Sequence, residues 1–110
     1  MFKNAIVRTP CRAMVNGLSS SNLGKPVYKK ALLQHADYIE ALKECGLRVR
    51  VLPADENFPD STFVEDVALL TPNGAILTNP GAPSRRLETR SILETLRAYY
   101  DVVEFIIVCG

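Results

Sequence analysis

FPDSTFVEDVALLTPNGAILTNPGAPSRR, residues 58–86, is the stretch on which the reading of this chain turns. Three acids, Asp60, Glu65 and Asp66, precede an apolar run from Val67 to Leu70, with no basic residue among them. Pro72–Asn73–Gly74 then separates Val67–Thr71 from Ala75–Thr78, and Asn-Gly between two apolar runs is the strongest short-range signal for a β-hairpin. Pro80–Gly81–Ala82–Pro83 turns the chain again, and Arg85 and Arg86 follow at the expected start of a helix. Glu65 and Asp66, taken as neighbours at a strand entrance, are expected to point to opposite faces. Acids gathered at the mouth of a buried strand suit a cationic ligand.

Working outward, Ser84 is a candidate N-cap. Ile92, Leu93, Leu96 and Tyr99 form a helical stripe ending near Tyr100, and Val102 to Val108 is expected as a strand apolar enough to lie inside a sheet. On the N-terminal side, Ala5–Ile6–Val7 opens a short strand that Pro10 ends, because proline removes a ladder donor. Residues 11–26, CRAMVNGLSSSNLGKP, have no periodicity and make a loop long enough to suggest function. Val27 to Cys45 is expected as a helix with Leu32, Ala36, Ile39 and Leu42 as its core stripe, stopped by Gly46. Cys45, beside Leu42, is expected in the core. Leu47 to Leu52 alternates apolar and basic residues, the pattern of a strand with one wet face. A helix–strand pair therefore occurs twice, which is a weak repeat.

The totals describe one domain's worth of chain. There are 110 residues, 47% apolar and 23% charged, with a net charge of +1. That balance gives no electrostatic case for nucleic acid or an anionic membrane as partner. No apolar run approaches the ~20 residues needed to cross a bilayer, and MFKNAIVRTP lacks the apolar region of a signal peptide. The three cysteines, Cys11, Cys45 and Cys109, are odd in number and widely spaced, with no CxxC pair. They suggest neither a zinc site nor a disulfide framework, and reduced thiols in a cytoplasmic protein are expected. The lone histidine, His35, has no acid or cysteine at helical spacing to orient it as a base.

A carboxylate matches the forked donors of a guanidinium. Asp60 on its loop suits a second cationic group, and Arg85 or Arg86 at a helix start suits a carboxylate. Together these would recognise a zwitterionic guanidino amino acid. From residue types alone two alternatives stand beside this: solvated loop charges, with Glu65 pairing to Arg86 for under about 1 kcal/mol, and a divalent-metal site built from the three acids.

FPDSTFVEDVALL followed by AILTNPGAPSRRLE closely resembles the N-terminal part of the dimethylarginine dimethylaminohydrolases. These belong to the guanidino-modifying superfamily that includes arginine deiminases and amidinotransferases. VNGLSSSNLGKP followed by a long helix is similar to that family's opening. The resemblance implies an α/β fold, part (about two of five modules) of a pentein-type α/β-propeller, with mixed sheets and one helix per module, divided near 1–54 and 55–110. It implies hydrolysis of methylated arginine to citrulline and a methylamine through a covalent thiouronium on a cysteine, with no cofactor. By the same resemblance Asp66 would hold the guanidinium, Asp60 and Glu65 would line the pocket, Arg85 would bind the substrate carboxylate, and Leu18 would sit on a closing loop.

The family's nucleophilic cysteine and catalytic histidine lie in later modules, so no catalytic role passes to Cys11, Cys45, Cys109 or His35. The expectation is a chain with part of a guanidino-substrate pocket and no nucleophile. A self-associating module, giving a homo-oligomer, and a guanidino amino-acid binding protein without catalysis are the rival readings.

Overall fold

A computed structural model describes residues 2–18 and 23–105. The chain divides into two units, Met1–Thr62 and Phe63–Gly110.

In the first unit strand β1 (Asn4–Arg8) leads through a short 3-10 turn (Arg12–Asn16) to helix α1 (Tyr28–Glu44) and strand β2 (Arg48–Leu52). The two strands pair in parallel, from Asn4 opposite Arg48 to Arg8 opposite Leu52. Parallel neighbours need a long crossover, and α1 provides it. The helix stops as its sequence suggests. Gly46 takes a φ of 84°, its N–H donates to Lys43 O at 2.9 Å, and the Leu47 N–H donates to Leu42 O at 3.3 Å. These are the two bonds of a Schellman cap, which needs a left-handed residue at Gly46.

The α1 stripe is not core. Leu32, Ile39 and Leu42 are half-buried, Ala36 is exposed, and no described residue of the helix is fully buried. Cys45 is likewise exposed, contrary to its expected place in the core. Two strands present too narrow a surface to cover a seventeen-residue helix. His35 lies on the half-buried face and stacks on Tyr38, with ring centroids 6.2 Å apart. Among the described residues of this unit Val7, Cys11 and Leu52 are buried hydrophobics, with Pro10 also buried, at or just beyond the C-terminal ends of the strands.

The loop that follows β2 is stitched to the end of β1. Thr62 Oγ1 donates to Arg8 O at 2.9 Å, and the buried Arg8 donates through Nη1 to Pro53 O at 2.8 Å. Residues 53–62 therefore belong with the strands before them.

In the second unit a 3-10 turn (Val64–Asp66) precedes strands β3 (Ala68–Thr71) and β4 (Gly74–Leu77), another 3-10 turn (Pro83–Arg85), helix α2 (Glu88–Arg97) and strand β5 (Val103–Phe105). The sheet order is β3-β4-β5, antiparallel on one side of β4 and parallel on the other. The hairpin stands where the sequence suggests, but its turn differs. Its centre is Pro72–Asn73, because Thr71 pairs with Gly74. Proline fixes φ near −65°, and neither Asn73 nor Gly74 has a positive φ, so the mirror-image turn favoured by Asn-Gly is excluded. The Thr71 side chain steadies the turn, accepting from the Asn73 N–H at 3.3 Å and donating to Gly74 O at 2.9 Å. Gly74 serves packing instead: a Cβ there would lie 2.9 Å from Val102 O.

Ile92 and Leu96 of α2 are buried with Ala75 and Leu77 of β4, whereas Leu93 is half-buried and Tyr99 exposed. Ser84 does not cap α2, since it falls inside the preceding 3-10 turn and Leu87 holds the cap position without a side-chain bond. Among the described residues strand β5 is an outer strand, with Phe105 57% exposed, not an inner one. The expected continuation to Val108 lies outside the described residues.

Candidate functional site

In the first unit Asp60 sits at the end of the loop after β2. It is 9% exposed and accepts the Leu18 N–H through Oδ2 at 3.1 Å. Gly17 makes this approach feasible: a Cβ there would collide with Asp60 Oδ1 and come within 3.1 Å of Met14 O. The Leu18 side chain is 62% exposed. Upstream, Glu56 holds the start of the Arg12–Asn16 turn, accepting the Arg12 N–H at 3.0 Å and the Ala13 N–H at 3.1 Å. A carboxylate across those amides satisfies donors that a helical turn leaves open.

Cys11 is buried in the same loop system, with Sγ facing Phe58 O at 3.6 Å and Pro59 O at 3.9 Å. Burial pushes its thiol up from the ordinary value, and the charge of Glu56 adds to the shift; hydrogen bonds from Ser61, Ala13 and Met14 act the other way without cancelling it. A thiol so held is poor in thiolate and shielded, the opposite of a nucleophile's setting.

In the second unit Asp66 and Arg85 meet. Arg85 Nη1 lies 2.7 Å from Asp66 Oδ2. The other edge of the guanidinium faces Glu88, with Nε at 3.2 and 3.1 Å from the two carboxylate oxygens and Nη2 at 2.9 Å from Oε2. Nη2 also donates to Phe63 O at 3.3 Å. Exposure separates the two acids: the Glu88 side chain is 4% exposed and that of Asp66 52%. Burial opposes the charge on Arg85, but hydrogen bonds and charge from Glu88 and Asp66 outweigh it and hold the guanidinium above its ordinary value. One positive charge against two negative ones leaves the cluster net negative.

Glu65 and Asp66 lie at the entrance of β3 but in the 3-10 turn Val64–Asp66 rather than in extended backbone, so the alternation of a pleated strand does not govern them. Both are exposed. Arg86 does not pair with Glu65; it donates to Pro80 O at 3.1 Å and Gly81 O at 3.4 Å. Sequence reasoning missed Glu88, Glu56 and Gly17. Glu88 was legible in principle, since it stands three residues after Arg85 where a helical turn makes neighbours of them. The other two act across sequence gaps of about forty residues and left no local signal. Among the described residues no group of three or more His, Cys, Asp or Glu converges to hold a metal ion.

The comparisons with known proteins agree with this architecture. The family model described as "N,N dimethylarginine dimethylhydrolase, eukaryotic" matches residues 15–107. An N(G),N(G)-dimethylarginine dimethylaminohydrolase of Pseudomonas aeruginosa is 57% identical over 100 residues, covering 91% of this chain and 39% of that protein. The enzyme of that name from Streptomyces coelicolor is 41% identical over 96 residues, 86% of this chain and 37% of its own length. A solved structure of a dimethylarginine dimethylaminohydrolase from Pseudomonas aeruginosa, a cysteine-to-serine mutant complexed with citrulline, superimposes with a TM-score of 0.96 at 52% identity, covering 100% of this chain and 44% of that one. The N-terminal domain of ArgZ, a cyanobacterial arginine dihydrolase, matches with a TM-score of 0.81 at 16% identity over 96% of this chain and 40% of its own, a likeness of fold alone. The fold is part of the propeller-like pentein fold, and the chain spans less than half the length of these relatives. With a matching family model over most of its residues and a 57% identical relative, the chain belongs to the dimethylarginine dimethylaminohydrolase family.

Proposed function

We propose that this chain supplies guanidino-substrate recognition for a dimethylarginine dimethylaminohydrolase-type reaction, the hydrolysis of methylated arginine to citrulline and a methylamine, and holds no nucleophile for it. The observation that carries the reading is the cluster of Asp66, Arg85 and Glu88, net negative and open to solvent at Asp66. A cation arriving there meets a carboxylate already oriented by Arg85. Asp66 is assigned to the guanidinium, with Glu65 beside it, and Arg85 to the carboxylate of the substrate. In the first unit Asp60 is assigned to substrate contact, with Leu18 on the loop that it anchors. The citrulline bound in the Pseudomonas aeruginosa structure supports an amino-acid ligand of this class.

Calorimetry with arginine, Nω-methylarginine and citrulline tests the assignment. The two cationic ligands are expected to bind more tightly than neutral citrulline, and Asp66→Asn is expected to remove that difference. Equal binding of all three, or of none, would sink it. The same samples are expected to release no citrulline from methylarginine, because Cys11 is buried with a raised thiol pKa and, by the family resemblance, the nucleophilic cysteine belongs to a later module. Turnover that Asp66→Ala abolishes would overturn the absence of a nucleophile.

We further propose that the chain self-associates as a homo-oligomer. The outer strands of the second unit expose Leu69, Leu70 and Phe105, and unpaired strand edges with apolar side chains recruit further strands.

A further inference from the structure

Arg85 is held by two acids in unlike surroundings, and the difference gives them different work. Its Nε–Nη2 edge is engaged by Glu88, whose side chain is 4% exposed, through three contacts between 2.9 and 3.2 Å. Its Nη1 contact is to Asp66, whose side chain is 52% exposed. A bidentate pair fixes the plane of a guanidinium as well as its position, and a buried pair is scarcely screened by salt or water. An exposed pair is weak and is traded readily for other partners.

We infer that Glu88 is the positioning residue for Arg85, a fixed inner contact that keeps the guanidinium plane in place while the outer Asp66–Arg85 contact exchanges for a ligand. Glu88 touches no ligand in this scheme. It stands one turn along the same helical path, three residues after Arg85, so the pair forms wherever that turn forms. The Phe63 carbonyl, which accepts from Nη2 at 3.3 Å, braces the guanidinium from a second segment. The inference rests on the proposed reading of Asp66 and Arg85 as ligand-binding groups, and its first measurement is independent of that reading.

The test uses the 110-residue chain labelled with ¹⁵N-arginine, with the Arg85 Nε–Hε resonance identified by its loss in Arg85→Lys. Glu88→Gln keeps the side-chain volume and one acceptor but removes the charge and the second oxygen. It is expected to speed exchange of the Arg85 Nε proton with water by about tenfold, the worth of one charge-assisted bond. Asp66→Asn is expected to leave that exchange within about twofold, since the Glu88 edge is untouched. Faster exchange in Asp66→Asn than in Glu88→Gln would overturn the inference, as would no change in Glu88→Gln. If Glu88→Gln does not fold, Glu88→Asp keeps the charge and is expected to fold with an Nε exchange rate faster than that of wild type; a rate no different from wild type overturns the inference.

Ligand titration supplies the second reading. Glu88→Gln is expected to weaken arginine binding by about tenfold and to leave agmatine, which is arginine without its carboxylate, within about twofold. Equal weakening of both would assign Glu88 a general structural role and overturn the inference. If the wild-type chain binds neither, the proposed function fails, and the exchange experiment alone decides the role of Glu88.

Discussion

Two of the cysteines show how one residue type takes opposite characters from its surroundings. Cys11 is 1% exposed with a raised thiol pKa, and Cys45 is exposed at the C-terminal end of α1. Alkylation with iodoacetamide at pH 8 is expected to label Cys45 promptly and Cys11 at least about tenfold more slowly, with peptide mapping as the measurement. Comparable rates would contradict the burial. The sign for stability follows. The folded state holds the Cys11 proton more tightly than the unfolded chain does. Its contribution is therefore fully present below 9.0, the ordinary value, and is lost as pH rises from there through the folded value. His35 runs the other way. Burial lowers its pKa, so its contribution is present above 6.5 and is lost as pH falls through the folded value.

Helix α1 illustrates how unevenly the ends of an element are specified. Its C-terminus has a Schellman cap on Gly46, whereas its N-cap is Val27, with no side-chain bond. Valine there offers the first-turn amides no side-chain acceptor, and Ser, Thr, Asp or Asn would satisfy one. Val27→Asp is expected to raise stability by about 1 kcal/mol, and Gly46→Ala to lower it by about 1–2 kcal/mol through its left-handed backbone. Thermal denaturation of both variants checks the pair, and a loss in the first or a gain in the second would contradict the cap geometry. Local chemistry of this kind was the legible part of the fold. Gly46 announced the stop and Pro72–Asn73–Gly74 the hairpin. The turn type was not readable from Asn-Gly alone, because Pro72 forbids the positive φ that the motif usually supplies. Nor was the depth of the α1 stripe, since periodicity reports which face is apolar and not how much surface there is to cover it.

At the scale of the whole molecule, the acids and arginines of residues 58–86 pointed to the family, and the family model and relatives establish it. What the sequence left hidden was the order among the charges. Asp66 and Arg85 were singled out for opposite ends of a ligand, yet they touch at 2.7 Å, and Glu88 meets the other edge of the same guanidinium. Self-association is tested by sedimentation velocity across a concentration series, where a weight-average mass that climbs with concentration is expected and a constant monomer would refute it. Charged substitution at Leu69, 57% exposed on β3, is expected to shift that series toward monomer.

Strand β4 has one further consequence, for the order of assembly. Its partner on one side, β3, is reached through a turn of two residues, while β5 on the other side comes only after the whole of 78–102. Closing a short loop is fast, and joining a parallel strand across a helix waits on a much larger loss of chain freedom. During folding of the chain the hairpin can therefore form before β5 joins, leaving the second edge of Gly74–Leu77 bare until Val103–Phe105 docks. That interval is when this apolar strand is most open to pairing with the wrong chain.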